Sequence, residues 1–290
     1  MGLLNPILQS LSQTFGLPAP FTQGSLSKKH IKTLKGEKPM INIALFGCNG
    51  KMGQVISNLM ANDSEAKISF GFDINTERKN SYPVYDNIKN IKEKADVIID
   101  FSHPALLDSL IEYCEKENTG AVIATTGLSK EQVEKIDELS KKVAIFRSAN
   151  MSLGINLLIN LVKKAAAILE DKFDIEIIEK HHNQKIDAPS GTALMIADEI
   201  SDVLENSPQY VYDRHNVRKK RAKNEIGLHA IRGGTIVGEH DVIFAGNDEI
   251  IEINHKAMSK EIFAVGAIKA AKYIAGKKSG MFSMKELMEE

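Results

Sequence analysis

The chain has 290 residues, with 37 basic and 38 acidic side chains and a net charge of -1. Its 43% apolar and 26% charged content excludes a disordered or collagen-like chain, and its length favours two domains. No run of eighteen apolar residues is present, so we do not expect it to span a membrane. Two cysteines, Cys48 and Cys114, are too few for a disulfide framework and fit a cytoplasmic protein. The near-neutral charge argues against a nucleic-acid partner.

The charge is unevenly distributed, because residues 1–39 hold five lysines, one acidic residue and four of the eight prolines. Leucines at roughly helical spacing precede two of these prolines. Four interpretations stay open: a start placed upstream of a natural initiator at Met40, a tail that docks on the protein, an organelle-targeting leader, and a secretory signal. The absence of arginine disfavours the third, and the absence of a basic residue before the apolar part disfavours the fourth. We expect residues 1–39 to be an extension outside the fold.

From Met40 onward, short apolar runs alternate with stretches of helical length. The runs are 41–46, 68–73, 96–101, 121–124 and 143–146. Ser129 and Gln132 form a capping box that opens one of the intervening helices. Apolar strands alternating with helices predict a parallel sheet covered on both faces, a doubly wound α/β domain.

The pattern changes after residue 150. A long helix over 153–170 leads into strictly alternating residues 173–177, a helix begins near Ser190, and strands are expected over 226–231, 235–244 and 249–254. Glycine turns between these strands predict an open, partly solvated sheet in a second α+β domain. We expect a last helix over 262–274 to pack on the first domain, which would comprise 40–152 and 262–290, leaving 153–261 for the second domain.

Residues 47–53 form a glycine-rich turn between the first strand and the first helix. The usual dinucleotide fingerprint spaces its glycines at 0, 2 and 5, whereas here they fall at 0, 3 and 6. Asn49, at the second position, is expected to take the positive-φ conformation that the tight turn needs. Gly50 would let the backbone approach a pyrophosphate at the helix N-terminus. The thiol of Cys48 is expected to be a small neighbour of the cofactor rather than a reactive group.

Asp73 stands twenty residues after Gly53, at the end of the second predicted strand. An acid there is expected to accept hydrogen bonds from the adenosine ribose hydroxyls, although a strand-end turn cap stays open. The next residue is Ile74 rather than a cation, while Arg78 and Lys79 follow in the loop. This pattern favours NADH, with NADPH tolerated.

Two further segments follow predicted strands at the sheet edge where ligands bind in such folds. They are 125–127, with the sequence Thr-Thr-Gly, and 148–151, with the sequence Ser-Ala-Asn-Met. Their hydroxyls and amides are expected to hold the nicotinamide end, with generic strand-end turns as the alternative.

The densest group of reactive side chains lies in residues 176–193, Glu-Ile-Ile-Glu-Lys-His-His-Asn-Gln-Lys-Ile-Asp-Ala-Pro-Ser-Gly-Thr-Ala. A half-exposed strand carries two histidines and a lysine to a loop that ends at a helix N-terminus with free amides. This arrangement suits an anionic substrate held by those amides and by Lys185 or a protonated histidine. A metal site is not expected, because adjacent histidines on an extended chain point to opposite faces. A polar surface loop stays open as the alternative.

Residues 176–193 resemble, position by position, the signature of the 4-hydroxy-tetrahydrodipicolinate reductase family, formerly dihydrodipicolinate reductase, of the diaminopimelate route to lysine. The resemblance runs from Met40 to the C-terminus, through 47–53, 100–102, 125–127, 232–234, 237–240, 254–257 and 280–282. Residues 1–39 have no counterpart in that family. The resemblance implies a Rossmann-like doubly wound domain, a substrate and oligomerisation domain, and NAD(P)H-dependent reduction of a cyclic imine dicarboxylate with loss of water.

The resemblance also implies roles for individual residues. His181 would donate or accept a proton and Lys185 would donate one, while His182, Gly191 and Thr192 would bind substrate carboxylates. The cofactor would be bound by Gly47, Cys48, Asn49, Gly50, Lys51, Met52, Asp73, Ala124, Thr125, Thr126, Ser148, Ala149, Asn150 and Met151. Well-known members carry arginine where this chain has Ile74, which puts an NADPH preference in doubt. The family further implies a homotetramer.

Two other functions stay open. One is another small-molecule dehydrogenase, such as a homoserine or aspartate dehydrogenase-like enzyme, and the other is a nucleotide-binding sensor without catalysis. The basic run 218–223 is expected to be a solvated loop, with attraction of an anionic substrate or cofactor as the alternative.

Overall fold

The computed structural model describes residues 39–170 and 172–290, so the expected extension lies outside the described residues apart from Pro39. In chain order the described elements are β1 (Ile41–Phe46), α1 (Lys51–Met60), β2 (Ala66–Phe72), β3 (Val84–Tyr85), β4 (Val97–Asp100), α2 (Leu107–Glu117), β5 (Gly120–Ile123), α3 (Lys130–Ser140), β6 (Ala144–Arg147), α4 (Leu153–Leu169), β7 (Asp174–His181), α5 (Gly191–Ser201), β8 (Gln209–Val211), β9 (Glu225–Arg232), β10 (Gly238–Ala245), β11 (Ile250–Ala257), α6 (Glu261–Ile274), β12 (Gly280–Phe282) and α7 (Met284–Glu289). Short 3-10 helices lie at Ile88–Asn90 and Pro104–Leu106.

Seven of the described strands form one parallel sheet in the order β12-β6-β5-β4-β1-β2-β3. Successive side chains of a strand point to opposite faces, and the central strand β1 is buried on both. Ile43 and Leu45 pack with residues of α1 and α6. Ala44 and Phe46 pack with residues of α2 and α3. Apolar cores on both faces confirm the predicted doubly wound sheet.

Five other strands form a second, mixed sheet in the order β11-β10-β7-β9-β8. Its central strand β7 is parallel to β9 and antiparallel to β10. Alternate residues of β7 are buried, beginning with Ile175 and Ile177, which pack with side chains of α4 and α5. The same buried face continues with the polar residues Glu179 and His181. The predicted open mixed sheet is thereby confirmed, and it carries ionisable groups into the interior.

The observed elements differ from the predicted ones mainly in short or polar segments. β3, β8 and β12 contain only two or three residues and α7 only six, which is too few for a recognisable period. β7 extends four residues beyond the predicted strand because its inward positions there are polar. β10 begins three residues later than predicted, because Gly234 has φ +48 and closes a turn in which Asn183 N donates to Gly234 O over 3.2 Å. The predicted capping box at Ser129 and Gln132 is confirmed.

Both cysteines are buried and free. Within residues 39–170 and 172–290, no helix has the length and apolar character needed to cross a lipid bilayer.

The helix α6 packs on the parallel sheet through small residues, including Ala264, Ala267 and Ala271. Gly266 lies against the backbone of Met151, and a Cβ added to it would overlap the carbonyl oxygen of Met151. The loop that follows β6 is therefore held in position by the close approach of α6.

We expect Gly266→Ala to destabilise the protein by about 1–3 kcal/mol, because α6 or the Met151 loop must move to admit a methyl group. Chemical denaturation of the variant measures the change. Val265→Ala, at an exposed neighbouring position on the same helix, serves as the control and should change the free energy of unfolding by less than about 0.5 kcal/mol. Equal stabilities of the two variants would contradict the tight contact.

Candidate active site

The turn between β1 and α1 lies where the strand order changes direction, since β1 stands between β2 and β4. Gly47 has φ +75, and a Cβ on it would lie 2.6 Å from the carbonyl oxygen of Phe101 in the loop after β4. The prediction that Asn49 takes the positive-φ conformation is wrong, because Asn118 is the only non-glycine residue with positive φ in the described part of the chain. Gly47 makes the tight turn, and its contact with Phe101 leaves no room for a side chain there.

Asn49 instead connects this turn to the loop after β2. Its backbone NH donates to Asp73 Oδ2 over 2.9 Å, and its side-chain oxygen accepts from Asn80 Nδ2 over 2.8 Å. Its side-chain amide also donates to the carbonyl of Asn75. These contacts explain why asparagine suits this position without a positive φ.

The first turn of α1 presents backbone NH groups at the sheet edge. Gly50 is the N-cap, and no side chain caps the helix there. A Cβ on Gly53 would overlap the carbonyl oxygen of Gly47, so the helix lies directly on the turn. The amides of Lys51 and Met52 stand at the positive end of the helix dipole. An uncapped helix end beside a glycine cradle fits the pyrophosphate of a dinucleotide.

Asp73 follows β2, and its side chain is turned inward. Its carboxylate accepts from Asn49 N over 2.9 Å and from Asn75 N over 3.0 Å. Asp73 therefore caps a turn, as the alternative interpretation stated, but a carboxylate has about four acceptor positions and retains capacity for ribose hydroxyls. Ile74 is 76% exposed, and Arg78 and Lys79 are exposed in the loop that follows.

Cys48 is fully buried, and a Cβ on Gly71 would lie 2.5 Å from its sulfur. Burial, with a smaller effect of the nearby Asp73 carboxylate, raises the pKa of the thiol to about 12. The group is therefore a protonated thiol packed under β2, and only the backbone of Cys48 remains available to a ligand.

A cleft of about 880 Å³ lies at the carboxyl ends of β4, β5 and β6. All of the residues predicted to meet the nicotinamide end line it, namely Thr125, Thr126, Gly127, Ser148, Ala149, Asn150 and Met151. Two other predicted cofactor residues, Met52 and Ala124, and one predicted substrate residue, Thr192, also line it. Sequence reasoning missed Phe101, Arg147, Lys260 and Phe263, which also line the cleft. Phe101 and Arg147 lie at strand ends on this same edge, so their positions in the sequence could have indicated that they line the cleft. Lys260 and Phe263 are distant in sequence, and no local pattern indicated that they reach it.

The buried carboxylate of Asp100 joins two of the cleft loops. It accepts from Ser102 Oγ over 2.5 Å and from Thr125 Oγ1 over 2.7 Å. Burial raises the pKa of Asp100, and the hydrogen bonds from Ser102 and Thr125 oppose that shift. Since the hydroxyl proton of Thr125 is already donated to Asp100, Thr125 can offer a ligand only its backbone and its remaining acceptor capacity.

Two predicted regions meet through one hydrogen bond. Asn150 Nδ2, in the loop after β6, donates to Thr192 Oγ1, in the first turn of α5, over 3.0 Å. Ser190 caps α5 by accepting from Ala193 N over 3.1 Å. The amides of Gly191 and Thr192 stand at the positive end of that helix, as an anion site requires.

His181 ends β7 on its buried face. Its Nδ1 lies 2.5 Å from Glu179 Oε2, and Arg232 donates to both oxygens of the same carboxylate over 2.8 and 2.7 Å. Burial raises the pKa of Glu179, but the hydrogen bonds from Arg232 and His181 outweigh it and bring the pKa below its usual range. Burial lowers the pKa of His181, against an opposing effect of Glu179. The pair is thus an ionised carboxylate beside a neutral imidazole at pH 7.

The side chain of Lys185 reaches back over its own loop. Its Nζ lies 2.8 Å from Asp187 Oδ1. The hydrogen bond from Lys185 lowers the pKa of Asp187, and the backbone amide of Gly191 acts in the same direction. The carboxylate of Asp187 therefore stands between the lysine and the helix N-terminus, where a substrate carboxylate was expected. His182 is half-buried and lies just beyond the end of β7.

His240 packs edge-on against His181 with ring centroids 5.4 Å apart, and its Nε2 lies 3.1 Å from Ser190 Oγ. It also stands opposite His255 in the register of β10 and β11. Burial, assisted by the charge of His181 when protonated, lowers the pKa of His240 to about 4. Sequence reasoning missed this neighbour, because only the pairing of β7 with β10 brings it to the site.

We expect acid to destabilise the protein partly through His240. Its pKa is about 4 in the fold against 6.5 ordinarily, so the unfolded chain binds the proton first and stability falls as pH drops from about 6.5 to 4. The expected loss is about 3 kcal/mol. His240→Gln, whose amide can still bond Ser190, should reduce by that amount the difference in unfolding free energy between pH 7 and pH 4. An unchanged difference in the variant would contradict burial of a neutral imidazole.

The basic run 218–223 is less solvated than expected. Arg221 donates to Glu176 Oε1 over 3.0 Å, to Asp174 Oδ1 over 3.0 Å and to the carbonyl of Ile175 over 3.1 Å. Arg218 remains exposed. Part of the run therefore anchors β7 rather than attracting a ligand. No group of metal-ligating side chains is found in the described portion of the chain.

The fold and the site together define a class. A doubly wound parallel sheet with a glycine turn, an uncapped helix N-terminus and an acid after the second strand is typical of dinucleotide-dependent oxidoreductases. The second sheet carries ionisable side chains, Glu179 and His181, of a kind that can take part in acid–base catalysis.

Comparison with known proteins identifies the family. Residues 41–151 match the model of the dihydrodipicolinate reductase N-terminus, and residues 154–288 match that of its C-terminus. The chain belongs to the dihydrodipicolinate reductase family.

Individual relatives support this assignment. The chain is 54% identical over 251 residues to the 4-hydroxy-tetrahydrodipicolinate reductase of Caldanaerobacter subterraneus subsp. tengcongensis, covering 87% of this chain and 99% of that protein. It is 51% identical over 250 residues to the reductase of Clostridium novyi, covering 86% and 99%. A dipicolinate-bound dihydrodipicolinate reductase from Paenisporosarcina sp. TG-14 aligns with a TM-score of 0.71 at 25% identity, covering 84% of this chain and 97% of that one. The predicted family and reductase activity are confirmed, and the family implies use of NAD(P)H.

Proposed function

We propose that this chain reduces 4-hydroxy-tetrahydrodipicolinate to tetrahydrodipicolinate with loss of water, using NAD(P)H, in the diaminopimelate route to lysine. The observation that carries the assignment of the site is the hydrogen bond between Asn150 and Thr192. It joins the cleft at the edge of the parallel sheet to the helix N-terminus that follows the two histidines and Lys185. Hydride donor and acceptor would therefore meet at this contact.

The glycine turn and the edge loops would hold the cofactor. The amides at the start of α1 would face the pyrophosphate, Asp73 the ribose, and the loops after β5 and β6 the nicotinamide. Bound NAD(P)H supplies a hydride to the unsaturated ring. The exposed Ile74 offers no charge to a 2′-phosphate, which supports a preference for NADH.

The substrate carboxylates would bind at the N-terminus of α5 and beside Lys185. In this proposal a substrate carboxylate takes the position that Asp187 has between Lys185 Nζ and the Gly191 amide. His182, half-buried at the start of the same loop, would contact the second carboxylate. A cation with a helix amide for one carboxylate, and a histidine for the other, suit a dianion in a chain of near-neutral net charge.

Proton transfer would fall to Lys185 and His181. Addition of hydride to the ring leaves negative charge that a nearby acid must quench. Lys185 has three donor hydrogens and would give one to the ring, while His181, neutral at pH 7 and backed by Glu179, would give or take a proton through Nε2.

We infer that the dinucleotide-binding domain comprises 40–152 and 262–290 and that 153–261 forms the substrate domain. The packing of α6 residues with the parallel sheet supports this division. We also infer a homotetramer formed through the mixed sheet, whose exposed Ile231 and Ile250 offer apolar surface. A cytoplasmic location agrees with two free, buried cysteines.

We expect His181→Gln and Lys185→Ala each to lower kcat by about 10²–10⁴-fold, the usual cost of losing a positioned proton donor. NAD(P)H oxidation is followed by absorbance with freshly generated substrate. Lys180→Ala is the control, because Lys180 lies on the other face of β7 and pairs with Asp241 and Glu239. Turnover within a few-fold of wild type in both site variants would refute the roles. Reduction of NAD+ with homoserine or aspartate as substrate, or cofactor binding without turnover, would favour the rival functions.

We expect Asp73→Asn to raise the KM for NADH by about 10–100-fold, the value of hydrogen bonds to a charged group. The KM for NADPH should rise less, because its 2′-phosphate replaces the hydroxyl that Asp73 would bind. Steady-state kinetics with both cofactors measure the effect. The matched control is Asp63→Asn. Asp63 precedes β2, and its carboxylate accepts hydrogen bonds from the backbone NH groups of Glu65 and Ala66. Asp73 accepts two backbone hydrogen bonds in a similar way just after β2. Equal KM changes in the two variants would remove the cofactor role of Asp73.

A further inference from the structure

We propose that Glu179 is a positioning residue for the reduction, holding the proton-transfer histidine and the substrate-binding helix with one buried carboxylate. The inference rests on the proposed function, because it assigns Glu179 a role through His181 and through the N-terminus of α5.

Glu179 is fully buried, and every hydrogen bond to its carboxylate comes from a group in or beside the site. Oε2 lies 2.5 Å from His181 Nδ1 and accepts from Arg232 over 2.8 Å. Oε1 accepts from Arg232 over 2.7 Å and from Ser190 N over 3.1 Å. Arg232 stands opposite His181 in the pairing of β7 with β9, so the sheet itself sets this geometry.

These contacts select one tautomer of His181. The guanidinium of Arg232 and the backbone NH of Ser190 can only donate, so the carboxylate acts purely as an acceptor. The neutral imidazole must therefore carry its proton on Nδ1 and leave Nε2 unprotonated. Among the described residues, Nε2 of His181 has no hydrogen-bond partner. It is also absent from the unpaired polar atoms that are buried away from solvent. A Cβ at Gly238 would come within 3.1 Å of it, so the glycine keeps space beside this nitrogen.

The second carboxylate oxygen fixes the start of α5. Ser190, whose NH it binds, is the N-cap of that helix, and Ser190 Oγ contacts both Ala193 N and His240 Nε2. The amides of Gly191 and Thr192 follow directly. The carboxylate of Glu179 thus sets the distance between His181 Nε2 and the amides of Gly191 and Thr192. Small displacements of groups that act on a substrate are costly to catalysis.

The same strand carries a matched control. Glu176 also contacts a histidine and an arginine, with Oε2 2.8 Å from His229 Nε2 and Oε1 accepting from Arg221 Nε over 3.0 Å. It lies three residues from Glu179, so it faces the other side of β7. Glu176→Gln therefore perturbs an equivalent cluster without touching His181 or α5.

The test compares Glu179→Gln with Glu176→Gln in the full chain. In Glu179→Gln, the single amide oxygen of the new side chain accepts hydrogen bonds from Arg232 and Ser190. The NH2 group of the new side chain then faces His181 Nδ1. That nitrogen must then accept, which moves the imidazole proton to Nε2. We expect kcat to fall by about 10²-fold, as for other groups that orient a reacting side chain. The Kd for NAD(P)H should stay unchanged, because Glu179 does not line the dinucleotide cleft.

The second readout is the tautomer of His181, measured by 15N NMR on histidine-labelled protein and assigned with His181→Gln. Wild type and Glu176→Gln should show Nδ1–H, and Glu179→Gln should show a shift toward Nε2–H. Wild type with Nε2–H, or a Glu179→Gln variant with wild-type kcat, overturns the proposal. If Glu179→Gln does not fold, the wild-type tautomer alone decides it. An inactive wild-type protein whose His181 carries Nδ1–H would refute the proposed function and leave this geometry intact.

Discussion

The buried ion pair between Glu179 and Arg232 is the interaction on which the site depends. Removing a carboxylate from water costs several kcal/mol, and only good geometry with additional donors offsets that cost. Glu179 has both, since two guanidinium hydrogens, an imidazole and a backbone NH surround it. Well-packed apolar residues often stabilise a fold as much as a buried ion pair does. The pair is therefore better explained by the groups that it orients than by stability.

A similar arrangement holds the dinucleotide cleft. Asp100 is buried at the end of β4 and connects the loops after β4 and β5 through Ser102 and Thr125. Asp73, just after β2, accepts hydrogen bonds from Asn49 in the turn after β1 and from Asn75 in the loop after β2. Parallel strands bring their carboxyl ends to one edge, and inward-facing acids there fasten the irregular loops to the regular sheet. Loops held in this way can present backbone groups to a ligand at little entropic cost.

The sequence predicted the regular parts of the fold well. Both the doubly wound sheet and the mixed sheet follow from period and burial, because strands such as β1 are continuously apolar and β7 alternates. Strands of two or three residues left no periodic trace. The positive-φ residue of the turn was misjudged, since the fit of Gly47 against Phe101 depends on a neighbouring strand rather than on the local sequence. Asn49 was recognised as important and assigned the wrong reason.

What the sequence by itself determined is the set of candidate site groups. The glycine turn, Asp73, His181 and Lys185 could all be picked out because their chemistry and their place beside a strand or helix end are local properties. Only the tertiary structure decided their partners. Arg232 and His240 reach the site through strand pairing, Thr192 meets Asn150 across 42 positions of the chain, and Lys260 enters the cleft from beyond β11. The physical reason is that hydrogen-bond partners and burial are set by packing, and those contacts fix which histidine nitrogen is free and which hydroxyl is already bound.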